Sequence, residues 1–213
     1  MSFLQNNYEI LHVFALFVLF VFSFGTMGKA VNVRASIYFT LGLFSKLLSA
    51  LLWFMYLMVH GVSVVYTSPC EVSRVCWYLF LYTTISLLYP VKVSLSDKIV
   101  FSPIIMILLT NAVSQSVFHG GWVINTCIFL VTTPVIFTSF ISVIQKDCSG
   151  RCRFFFICVI LQCLLELLLM WCSGNVYTVV SILETFFSFF IVFSFYFANH
   201  EWEWNPDFFR RFM

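Results

Sequence analysis

Seven stretches of this chain are apolar enough and long enough to cross a lipid bilayer. A hydrocarbon core about 30 Å thick needs about 20 residues of helix, or about 17 at the short end. Runs that meet this requirement lie at about 8–28, 36–60, 75–91, 99–117, 121–145, 153–172 and 176–198. None alternates with the period of two that a membrane strand requires, which excludes a β-barrel. The linkers are short and hold most of the charges, and no repeat or low-complexity tract interrupts them. Residues 1–213 therefore read as a single transmembrane domain, an all-α polytopic membrane protein. Composition agrees: 62% of the residues are apolar and 9% charged, against roughly 45–50% and about 25% in soluble domains. So little polar surface cannot cover a core in water, and a soluble domain, a disordered chain and a nucleic-acid binder are excluded. The net charge of +2 names no partner.

The leader before the first run, Met1 to Asn7, contains no Lys or Arg. A secretory signal needs a basic n-region, so the first run reads as a retained helix rather than a cleaved signal. Orientation follows from the basic residues. Lys29, Arg34, Lys92, Lys98, Lys146, Arg151, Arg153, Arg210 and Arg211 fall in the linkers after runs one, three and five and in the tail. The opposite linkers hold only Arg74, and Lys46 lies inside run two. Basic residues stay cytosolic, which predicts a lumenal N-terminus and a cytosolic C-terminus. Trp77, Trp122 and Trp171 are expected as interfacial anchors on the lumenal side, with Trp202 and Trp204 on the cytosolic side.

Three charges fall deep within the apolar runs. At a rise of 1.5 Å per residue, Glu184 lies about 12 Å and Glu166 about 9 Å from the lumenal ends of their runs, and Lys46 about 15 Å from the cytosolic side. An unpaired charge at such depth costs several kcal/mol and is normally turned into the bundle. Opposite signs predict that Lys46 neutralises Glu184 or Glu166 across a helix interface. The pair reads either as packing or as a working site. His12 and His60 are too isolated to interpret. Cys148 and Cys152 sit in a basic linker without a second Cys pair, which argues against zinc and suits S-palmitoylation. No metal site, Gly-rich phosphate loop or nucleophilic triad reads out, so no cofactor is expected. Cys70, Cys76 and Cys172 lie toward the oxidising side, and a Cys70–Cys172 bridge is one pairing among those open.

From Cys172 the chain runs Cys-Ser-Gly-Asn-Val-Tyr-Thr-Val-Val-Ser-Ile-Leu-Glu, ending at Glu184. This string resembles the last lumenal loop and helix of the post-GPI-attachment-to-proteins factor 2 family: a Cys, three residues, Val-Tyr-Thr, three residues, then Ile-Leu-Glu. His119 stands where the family has a lumenal His ahead of its fourth helix, and residues 146–153 resemble its cytosolic basic loop. The wider superfamily includes the autophagy-modulator proteins and the N-terminal part of a yeast cell-wall factor. The resemblance covers roughly the last 100 residues and implies a six-helix bundle, to which the first run adds one N-terminal helix. Two positions depart from the family. Ile99 to Pro103, around Val100, lack its acidic residue at the start of helix three, and Phe195 replaces a His eleven residues after the Glu.

The resemblance implies a protein of the Golgi or endoplasmic reticulum membrane acting in GPI-anchor biosynthesis, at the lipid-remodelling step that replaces an unsaturated fatty chain with a saturated one. No acyl-transfer constellation is visible. A lipid-binding or reaction-assisting role is therefore the first expectation, with membrane lipid and GPI-anchored proteins as partners. Were the chain an enzyme, His119 would be the base and Glu184 the orienter or acid. Arg74, Tyr177 and Thr178, with His119, would gather at the lumenal mouth and bind a phosphate or inositol head group. Two other readings stand beside this one. Lys46, Glu166 and Glu184 suit the buried relay of a small transporter or channel. The superfamily also admits an autophagy-modulator-like membrane protein without catalysis. A retinal protein is excluded, because the last run has no Lys for a Schiff base.

Overall fold

Every apolar run that falls within the described residues is a helix. The computed structural model of the chain describes residues 3–60, 68–89, 122–145, 148–169 and 174–200. The helices are α1 (Phe3–Thr26), followed by one 3-10 turn (Met27–Lys29), α2 (Val33–His60), α3 (Ser68–Leu88), α4 (Trp122–Ile144), α5 (Gly150–Leu169) and α6 (Gly174–Asn199). No strand occurs among the described residues. The expected run at 99–117 lies outside them, as do His119, Cys172, Trp171, Trp202 and Trp204. α1, α2, α4, α5 and α6 each contain an apolar stretch of 18 residues or more, while that of α3, Val72–Leu88, is shorter. The chain is an all-helical, multi-pass membrane protein.

Local chemistry sets the helix ends. Asn32 accepts a hydrogen bond from the Ala35 N–H at 3.1 Å and caps α2,. The Ser149 hydroxyl accepts from the Cys152 N–H at 3.3 Å and caps α5. α3 begins at Ser68, seven residues before the apolar run at 75–91, because Ser68-Pro69 is a helix start. Proline in a first turn gives up only an N–H that has no partner there. α3 stops at Leu88, two residues before Pro90, since the residue ahead of a proline avoids helical backbone. Pro134 lies inside α4. Around it the hydroxyls of Thr133 and Thr138 donate to carbonyls one turn back, at 2.6 and 2.7 Å.

The helices form a closed ring: α2 packs on α3, α3 on α4, α4 on α5, α5 on α6, and α6 on α1, which returns to α2. One end of the ring gathers the C-termini of α1, α3, α4 and α6 with the N-termini of α2 and α5. Four basic residues, Lys29, Arg34, Arg151 and Arg153, lie at or within a turn of this basic end. Asn32 and Asn199 lock it. The Asn32 N–H donates to Asn199 Oδ1 at 2.9 Å, and Asn199 Nδ2 donates to Asn32 O at 3.1 Å and to Ser36 Oγ at 2.9 Å. α3 ends at the basic end, whereas α4 begins at the far end.

Above the basic end lies an aromatic layer. Phe39 stacks on Phe195 with ring centroids 3.9 Å apart, and Phe155 meets both edge-on. All three are fully buried. Outside, Phe14, Phe17, Phe24, Phe186 and Phe193 are exposed, an exterior suited to hydrocarbon rather than water. Trp77 is not an interfacial anchor. It is 1% exposed and sits inside the bundle, with its ring where a Cβ on Gly42 would fall, 2.9 Å away. Its polar N–H enters the interior because Gly42 leaves room for the ring. The side chain of Trp122 is outside the described set.

Candidate functional site

Lys46 and Glu184 meet a little above the middle of the bundle, measured from the basic end. Lys46 stands about 20 Å from the start of α2 and Glu184 about 22 Å from the end of α6, so antiparallel packing brings them level. Lys46 Nζ donates to Glu184 Oε1, and to Ser188 Oγ at 2.9 Å. Gln162 Nε2, from α5, donates to the same Glu184 oxygen. Both charged side chains are buried, 8% and 6% exposed. Of the two pairings open in the sequence, the bundle forms the one with Glu184. Glu166, one turn beyond Gln162 on α5, is also buried and lies within electrostatic reach of Tyr78 and Cys163.

Trp77 flanks the pair from α3, with Lys46 Nζ 5.5 Å from its ring centroid. The ring quadrupole favours a cation there and supplements the carboxylate. Trp77 Nε1, Tyr78 OH and Gln162 Oε1 are buried without a hydrogen-bond partner among the described residues.

α1 closes the site with three residues spaced to share a face, Tyr8, Glu9 and His12. Tyr8 OH donates to Ser181 O at 2.6 Å and lies 2.9 Å from Thr185 Oγ1. His12 Nδ1 lies 2.7 Å from the same Thr185 oxygen. The Tyr8 and His12 rings stack with centroids 5.8 Å apart. His12 is within electrostatic reach of Glu184, Lys46 and Arg74. Glu9 is 4% exposed and takes a hydrogen bond from Trp53 of α2. None of these contacts can be read along the sequence, because Thr185 lies 173 residues from His12. The i, i+4 spacing of Tyr8 and His12, with Glu9 between them, was the available signal.

Arg74 is not in a linker. It belongs to α3 and is half-buried, reaching the field of His12 and Tyr78. Ser68, Pro69, Glu71 and Ser73 depress the local hydropathy, yet Cys70 and Ser73 are buried, and Ser49 Oγ of α2 donates to Cys70 O at 2.8 Å. Thr178 is half-buried near the start of α6, and Tyr177 lies beside it in the helix with a side chain outside the described set. His119 lies outside the described residues. Of the expected head-group residues, Arg74 and Thr178 have described side chains.

A buried ion pair is poor evidence for stability, since desolvation of two charges offsets most of their attraction. An apolar pair of similar volume would hold α2 to α6 at least as well. What the cluster supplies is a carboxylate with two donors on one oxygen, an imidazole beside it and hydroxyls that exchange protons. It can hold, orient and pass a proton or bind a polar head group. Among the described residues, no three His, Cys, Asp or Glu side chains converge as a metal site. No family model, curated protein or solved structure matches the chain.

Proposed function

We propose that this protein acts in GPI-anchor lipid remodelling in the Golgi or endoplasmic reticulum membrane, with Glu184 at its working centre. The observation that carries the reading is the position of Glu184. The residue that ends the Cys172–Glu184 string is also the acceptor shared by Lys46 and Gln162 in the polar centre of the bundle. Such a centre suits binding the polar part of a lipid, or assisting its reacylation, better than it suits packing. On this reading the basic end faces the cytosol and the opposite end the lumen, in keeping with the positive-inside rule. The test is a mass-spectrometric profile of GPI lipid chains in cells lacking the protein, complemented by wild type or Glu184→Gln. Loss of the protein should leave unsaturated or lyso-anchors, and Glu184→Gln should reach its membrane yet fail to restore saturated chains. An unchanged profile on loss of the protein, or full rescue by Glu184→Gln, overturns the assignment.

A second reading, a small transporter or channel, draws on a different observation. Lys46, Arg74, Glu166 and Glu184 come from four helices and lie within electrostatic reach of His12 or Tyr78 in one region of the bundle. Charge relays in transporters have this character. Proteoliposomes containing an internal pH dye test it: a proton leak or solute-coupled proton flux, lost in Glu184→Gln, supports transport, and tight vesicles count against it.

A further inference from the structure

We infer that Tyr8, Thr185 and His12 form a proton relay that loads the imidazole beside Glu184 from the far end of the bundle. The inference goes beyond both functional readings and takes from them only that the Glu184 centre is where the protein works.

The hydrogen inventory carries the argument. Two acceptors, Ser181 O and His12 Nδ1 in its unprotonated form, are served by two hydroxyls, Tyr8 OH and Thr185 Oγ1. Thr185 Oγ1 lies 3.0 Å from Ser181 O, 2.9 Å from Tyr8 OH and 2.7 Å from His12 Nδ1. When Thr185 donates to Ser181 O, His12 Nδ1–H donates to Thr185. When His12 Nδ1 carries no proton, Thr185 donates to it and Tyr8 alone serves Ser181 O. Both arrangements keep Ser181 O, Thr185 Oγ1 and His12 Nδ1 hydrogen-bonded with the same heavy-atom positions, so His12 changes its Nδ1 proton without rebuilding the site,.

The route has an entrance. The apolar span of α1 begins at Tyr8, which is only part-buried. When the Tyr8 hydroxyl turns from Ser181 O to Thr185, a proton from hydronium replaces the Tyr8 hydroxyl proton as that proton moves to Thr185, the Thr185 proton moves to His12 Nδ1, and the Tyr8 hydroxyl turns back to Ser181 O. Each hydroxyl gives one proton and receives one, and the single added charge comes to rest on the imidazolium. The groups that feel this charge are Lys46 of α2, Arg74 of α3 and Glu184 of α6, with Tyr8 and Glu9 on α1 itself. A cation on His12 competes with Lys46 for the Glu184 carboxylate, so the relay couples the acidity at the far end to the central ion pair.

The test is nitrogen-15 NMR of the full chain, labelled at histidine, in detergent micelles or bilayers. The His12 resonances are assigned by their loss in His12→Gln. The Nδ1 shift reports the tautomer, and its exchange with solvent reports the rate of proton delivery. Thr185→Val keeps the shape of the side chain and removes the hydroxyl, and Tyr8→Phe keeps the stacked ring and removes its O–H. Each should slow Nδ1 exchange roughly tenfold, the scale of one lost hydrogen bond, with the helical and near-ultraviolet circular dichroism unchanged. Thr185→Ser keeps the hydroxyl and should exchange like wild type. Wild-type exchange in Thr185→Val or in Tyr8→Phe overturns the relay, as does slow exchange in Thr185→Ser. GPI lipid profiles play no part in this measurement, so the relay and the remodelling assignment fail independently.

Discussion

The bundle has two layers held together by opposite means. About 6–9 Å above the basic end, Phe39, Phe155 and Phe195 fill the ring with hydrocarbon faces,. About 18–22 Å above it, Lys46, Gln162, Glu184 and His12 fill the same ring with charges and donors,. The aromatic layer can tolerate any ring of the right shape, because dispersion and area burial ask for volume rather than identity. The polar layer is specific, because each of its groups is costly unless its particular partner is present. The lower layer therefore holds the helices together, while the upper layer constrains what they can do.

Substitutions that separate these two kinds of cohesion should break the comparison if it is wrong. The largest loss is expected from Phe195→Ala, which removes a ring stacked 3.9 Å from Phe39 and should cost about 3–5 kcal/mol. Unfolding in mixed micelles measures it, and further truncation at Phe155 should deepen the loss. Lys46→Met strands a buried carboxylate and should cost about 3 kcal/mol, but here the second change should act in reverse. Lys46→Met with Glu184→Leu should recover most of the loss, since an apolar pair replaces an ionic one. If the double variant is worse than the single, the upper layer is structural like the lower. Gly42→Ala probes the boundary between layers, where Trp77 touches Phe39 with centroids 6.1 Å apart and also flanks Lys46. A Cβ there meets the Trp77 ring at 2.9 Å and should cost about 1–3 kcal/mol, with a change in the near-ultraviolet dichroism of tryptophan.

The smallest effect is a difference in rate at the basic end. Cys148 is buried, and its thiol is held above the usual range by that burial and by the neighbouring Cys152, with Arg153 pulling the other way. Only the thiolate is nucleophilic, so at neutral pH a maleimide added from the cytosolic side should label part-exposed Cys152 before Cys148. The gap should close as the pH rises through the Cys148 titration. Labelling of these positions from the lumen of intact vesicles would instead reverse the proposed orientation.

Much of the lower layer is implicit in the sequence, whereas the upper layer is not. A run of 20 apolar residues has one stable form in lipid, so the helices that contain Phe39, Phe155 and Phe195 follow from counting. Counting fails at α3, where Ser68 to Arg74 are too polar to score although Cys70 and Ser73 are buried between helices. There the helix starts at Ser68-Pro69, a local signal that a count of apolar residues does not register,. Lys46 and Glu184 announce themselves as opposite charges at depth, yet the choice of Glu184 over Glu166 depends on which face of α6 meets α2. His12 and Glu9 carry no such announcement. Their partners, Thr185 and Trp53, lie on other helices, and hydropathy says nothing about what stands opposite a residue.

The closure of α1 onto α6 also has a meaning in time. α1 is the first of these helices to leave the ribosome, and Glu9 finds Trp53 as soon as α2 follows. Thr185, the partner of His12, is 173 residues further on. At about 5–20 residues per second, translation takes roughly 10–35 s to produce it. Throughout that interval α1 is a membrane-inserted helix with its histidine unmatched, free to find other neighbours in the translocon or to wait beside α2. α6 is the helix that ends the wait, so the ring stays open until that helix has been made.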